Sequence, residues 1–143
     1  MVPLARGHRF IDLARRLGGS VALVATDLFA FGGDVPESYV RYVDQMLART
    51  PFEVVAEFFP SFESLDKFHV VEGLSRVPVS IICGTADRVT SIGHSRKLHA
   101  HIEGSRLVEV EGAGHMVVME SHDQVNAELD QLIAAATERA GQR

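Results

Sequence analysis

Two short apolar runs, each followed by a turn-rich loop and then a stretch of helical period, constrain this chain more than any other feature. Val79-Ser-Ile-Ile-Cys83 follows Pro78 directly and is nearly continuous in apolar character, the pattern of a strand buried on both faces. The loop Gly84-Thr-Ala-Asp87-Arg-Val-Thr90 comes next, and Leu98 and Ile102 then mark one face of a helix ending near Gly104. Arg106-Leu-Val-Glu-Val110 reads as the second strand, leading into Glu111-Gly-Ala-Gly-His115. A last helix is signalled by Ser121 and Gln124, spaced as a capping box, and by the stripe Val125, Leu129, Leu132 and Ile133. Strand, helix, strand, helix predicts an α/β unit with a parallel pair joined by a right-handed crossover.

The first half has a different texture. Asp34-Val-Pro-Glu37 predicts a helix start, after which Val40, Val43 and Leu47 recur at helical spacing. Thr50-Pro51-Phe52-Glu53 repeats the device, with Pro51 expected at the first helical position, where its missing N–H costs nothing. Val54, Val55, Phe58 and Phe59 follow, and Pro60 is expected to stop that helix. Phe10–Leu17, closed by Gly18-Gly19, reads as a third helix. All eight Phe and both Tyr lie between Phe10 and Phe68, so the halves differ in packing material, with a boundary near residue 76.

Composition narrows the function classes. At 143 residues the chain has the length of one ordinary domain. Nineteen acids against fourteen bases give a net charge of −5, which offers nucleic acid no basic footprint. The single Cys83 makes neither an internal disulfide nor a thiolate metal cluster; it suits a reducing, cytoplasmic compartment. The apolar run from Val21 towards Phe31 is broken by Asp27 and is too short for a membrane span. Arg6 and Arg9 are not followed by the apolar stretch of a signal peptide.

Ligands in open parallel sheets sit beyond the carboxyl ends of the strands. Asp87 lies four residues past the first expected strand and His115 five past the second, so parallel neighbours would bring the two loops to one sheet edge. A carboxylate accepting from one imidazole nitrogen fixes the tautomer and leaves the other nitrogen as a base. Taken singly, Asp87 is equally a turn former and His115 a solvated loop residue; order and placement together single out the pair.

At these residues the chain resembles a family. "VPVSIICGTADRVT" and "SRLVEVEGAGHMVVMESHDQVNAEL" are similar to the closing segment of α/β-hydrolase-fold enzymes, above all lipase- and esterase-like serine hydrolases of actinobacterial type. The resemblance implies an incomplete α/β-hydrolase fold: a helical cap and return to the sheet over 1–76, and a C-terminal α/β unit over 77–143. It implies Asp87 as triad acid and His115 as triad base, in the chain order nucleophile, acid, histidine. It also implies a small lipophilic substrate, no cofactor and no metal. Phe58, Phe59 and Phe62 are candidates to line an apolar pocket, with plain helical core as the competing reading.

The nucleophile is missing. Of the ten serines, none has glycine at both −2 and +2; Ser20 follows Gly18-Gly19 but has Ala22 at +2. The oxyanion loop and the earlier strands are absent too, and Cys83 sits inside a strand as a small apolar residue. A base–acid pair alone has nothing to activate. The expectation is therefore the C-terminal half of a hydrolase, inactive alone, which self-associates or pairs with an N-terminal half. An aspartate-nucleophile member, of dehalogenase or epoxide-hydrolase type, and a non-catalytic binding module stay open as alternatives. His94, His99 and His101 lack the spacing of helical metal ligands and read as solvated, and so does His122 in the first turn of the last helix. Glu120 reads as support for the turn after His115.

Overall fold

The computed structural model describes residues 26–63 and 67–141. The helix expected at Phe10–Leu17, and Ser20, lie outside them. The chain forms two compact units: Met1–Leu28 with Pro36–Leu65, and Phe29–Val35 with Asp66–Arg143.

In the first unit, α1 spans Glu37–Arg49 and α2 spans Phe52–Glu63. The start signal before α1 works without a side-chain cap: Pro36 occupies the N-cap with extended backbone, and Glu37 pairs instead with Arg41 one turn on, at 2.7 Å. Such an exposed pair contributes only a few tenths of a kcal/mol. Val40 and Val43 are buried, as their spacing predicts, whereas Leu47 is exposed. Pro60 does not stop α2, which continues to Glu63. Proline removes one backbone donor without ending the helix, and, one residue on, the Ser61 hydroxyl donates to the Phe58 carbonyl at 2.6 Å.

The second unit runs α3 (Phe68–Val71), a 3-10 turn (Glu72–Arg76), β1 (Ser80–Gly84), α4 (Ile92–His101), β2 (Arg106–Val110), α5 (Val117–Glu120) and α6 (His122–Gly141). β1 and β2 pair in parallel, with Ser80 opposite Arg106 and Gly84 opposite Val110. The core gathers Val110, Ala113, Val117 and Val125, packed against Ile82 and Val108. β1 falls short of burial on both faces: Ser80, Ile81 and Ile82 are half-buried, and only Cys83 and Gly84 are buried. Among the described residues, β2 is the one strand paired with β1.

The stripe on α6 is only partly used. Val125 is buried, but Leu129 and Ile133 are exposed, and the buried residue one turn after Val125 is Glu128, at 4% exposure. Its carboxylate accepts from the Ser80 hydroxyl at 2.6 Å and pairs with Arg106 Nε at 2.9 Å. Ser80 and Arg106 open the two strands, so α6 meets that edge of the sheet with a paired charge where a continuous apolar stripe was expected.

At the opposite edge, backbone packs on backbone. The Ala86 amide donates to the Ala113 carbonyl at 2.9 Å, and the Gly112 amide donates to Thr85 Oγ1 at 2.8 Å. A Cβ at Gly84 would strike the Ala113 carbonyl, and one at Gly114 would strike the Phe31–Gly32 backbone. Gly33 has open space around it. Gly84→Ala is therefore expected to cost about 1–3 kcal/mol, and Gly33→Ala no more than about 0.5, read as urea midpoints. Equal midpoints for the two variants would contradict this packing.

Candidate active site

Parallel pairing brings the two loops to the carboxyl edge of β1 and β2. Asp87 lies three residues beyond Gly84, and His115 five beyond Val110. Asp87 Oδ2 and His115 Nδ1 stand 3.0 Å apart across 28 positions of sequence. A carboxylate only accepts, so Nδ1 carries the hydrogen and Nε2 of the neutral ring is left with its lone pair. The carboxylate is 7% exposed and the imidazole 41%, so the acid is enclosed and the ring remains open to solvent.

Asp87 is a turn former and an imidazole partner at once. Its Oδ1 accepts from the amides of Val89 and Thr90, both at 2.8 Å, while Oδ2 accepts from the Thr90 hydroxyl at 2.8 Å as well as from His115. Thr90 Oγ1 also lies 3.4 Å from His115 Nδ1. Burial by itself would push the Asp87 carboxyl up, but the bonds from Thr90, His115 and Val89 together hold it below the ordinary carboxylate range. It is thus ionised at neutral pH.

Residues 30–32 pack against the His115 loop from the other side. The Met116 amide donates to the Ala30 carbonyl at 2.8 Å, and Gly32 and Gly114 are in backbone contact. Glu120 bridges them, accepting from the Gly114 amide at 2.8 Å and from the Gly32 amide at 2.9 Å. Sequence reasoning did not single out Thr90, although Asp-x-x-Thr at a strand end is a turn signature that could have. The contribution of residues 30–32 had no readable signal, because it rests on contacts across 88 positions.

Phe58, Phe59 and Phe62 lie on α2, in the first unit; Phe58 is 61% exposed. His94, His99 and His101 are exposed on α4, with Ser91, Ser105 and the Lys97 carbonyl as their respective Nδ1 partners. Among the described residues no group of three or more His, Cys, Asp or Glu could hold a metal ion. Among the same residues no helix is long and apolar enough to cross a membrane.

Comparison with known proteins agrees with this architecture. Residues 1–128 match the alpha/beta hydrolase family, and the chain belongs to it. It is 32% identical over 133 residues to polyketide synthase ThaQ of Burkholderia thailandensis, a match covering 85% of this chain and 6% of that protein. The fold is similar to that of an esterase, EaEST, from Exiguobacterium antarcticum, with a TM-score of 0.65 at 18% identity. That likeness takes in 87% of this chain and 46% of the esterase, so the chain spans about half of that relative and a small part of the synthase.

The depressed carboxyl of Asp87 has a signed consequence. Its stabilisation is fully present above the unfolded-state carboxylate pKa and is lost as pH falls through the lower folded-state value. Wild type is therefore expected to exceed Asp87→Asn in stability at neutral pH, with the gap closing in acid, as followed by urea unfolding from neutrality downwards. A gap that stays constant in acid would contradict this.

Proposed function

We propose that this chain carries the acid and base of a serine-hydrolase triad acting on an ester-like or otherwise lipophilic small molecule. The nucleophile comes from polypeptide other than these 143 residues, whose sequence contains no Gly-x-Ser-x-Gly elbow. One observation carries the reading: Asp87 and His115 bond at 3.0 Å at the carboxyl edge of adjacent parallel strands. In the triad, Nε2 of His115 takes the proton of the attacking hydroxyl, and Asp87 stabilises the imidazolium that results. The ring then returns the proton to the leaving group.

Phe58, Phe59 and Phe62 are proposed as substrate-binding residues; positions 58 and 62 fall one helical turn apart on α2. Pairing of β1 with a further strand, from a second copy or from an N-terminal half of the fold, is part of the same proposal.

Ester hydrolysis by the isolated chain is expected to show no turnover that disappears with His115→Ala. In a polypeptide that supplies the serine elbow, His115→Ala is expected to lower kcat by a factor on the order of 10³ or more. A His115-dependent rate in the isolated chain would contradict the need for an outside nucleophile. An unaltered kcat in the completed enzyme would contradict the triad. Sedimentation is expected to find the isolated chain in species larger than 15.6 kDa. A monomer that unfolds in one sharp transition would contradict the pairing.

A further inference from the structure

Glu120 places each of its carboxylate oxygens on a different loop. Oε1 accepts from the Gly114 amide at 2.8 Å and Oε2 from the Gly32 amide at 2.9 Å. Gly114 immediately precedes His115, and immediately after it the Met116 amide is held by the Ala30 carbonyl. The backbone on both sides of His115 is thus anchored to one segment, residues 30–32. The short helix α5 brings Glu120 back to this point, with the Met119 and Glu120 amides both donating to the Met116 carbonyl, at 2.8 and 3.1 Å.

Gly32 and Gly114 are too close for either to carry a Cβ, and Glu120 reaches in to satisfy both amides at once. A carboxylate does this with two charge-assisted bonds, stronger than bonds to a neutral acceptor. The imidazole must meet Asp87 at 3.0 Å from a backbone that these anchors fix, and a small drift of Gly114 would break that bond.

We propose that Glu120 is a positioning residue for His115: its carboxylate locks Gly114 against Gly32 and so sets the base at bonding distance from Asp87. The proposal rests on reading Asp87 and His115 as acid and base, and goes beyond it by assigning a third residue to their alignment.

The test uses the whole 143-residue chain. Diethyl pyrocarbonate modification of His115, mapped by peptide mass spectrometry between about pH 5 and 8, reports the state of its ring, and the exposed His94 and His99 serve as internal standards. Hydrogen exchange followed by mass spectrometry reports the loops. In Glu120→Ala the pH profile of His115 is expected to depart from wild type and coincide with that of Asp87→Asn. Peptides covering Gly32 and Gly114 are expected to exchange on the order of tenfold faster, with the β1–β2 amides and the standards unchanged. Glu120→Gln keeps one carbonyl acceptor and is expected to fall between wild type and Glu120→Ala.

A wild-type His115 profile in Glu120→Ala would overturn the proposal. Loss of protection across β1 and β2 in both variants would also overturn it, because Glu120 would then support the unit as a whole. Suppose the Glu120→Ala and Asp87→Asn profiles coincide, yet neither change alters hydrolysis in a form bearing the nucleophile. Positioning then stands, and it is the triad reading that fails.

Discussion

Backbone packed on backbone, at Gly32, Gly84 and Gly114, is the constraint on which the rest of the second unit depends. None of these positions has room for a Cβ, because each faces the main chain of another segment. Main-chain contact of this kind admits little sliding, so it sets the separation of the loops leaving β1 and β2. The parallel register aligns the strand ends, and the loop bonds from Thr85 and Ala86 carry that alignment outwards. Asp87 and His115 inherit their spacing from this packing.

The carboxylate of Asp87 closes a turn and meets an imidazole at once, so its structural role and its proposed chemical one share the same side chain. Oδ1 closes its own loop through the amides of Val89 and Thr90, which locks the side chain before any imidazole is considered. Oδ2 is then presented to His115 in a fixed direction. Orientation secured by the fold is not lost again during a reaction, which is the physical advantage of building an acid–base pair on a turn. The imidazole is open to solvent and the acid enclosed, so in the proposed chemistry the ring meets the reacting group while Asp87 holds its charge away from water.

Elements whose determinants are local were legible in the sequence. Both strands lie within one residue of the expected spans, helices form where α4 and α6 are expected although the α6 stripe is only partly buried, and Asp87 and His115 reach the same sheet edge. What escaped depends on distant partners. The burial of Glu128 follows from Ser80 and Arg106 at the start of the strands, and a stripe of apolar residues on a helical wheel contains no sign of it. Pro60 reads locally as a breaker because it lacks a donor, whereas the helix runs on to Glu63. The role of residues 30–32 was invisible for the same reason: it consists of backbone contacts, which leave almost no trace in residue type beyond the glycines themselves.

The proposed acid–base chemistry passes through one ring held in one tautomer. The 15N resonances of the His115 imidazole near neutral pH test this most directly. The account requires a protonated Nδ1 bonded to Asp87 and an unprotonated Nε2, a state that Asp87→Asn abolishes while the other histidines keep their signals. A His115 ring that carries its hydrogen on Nε2, or that is indifferent to Asp87→Asn, would contradict it.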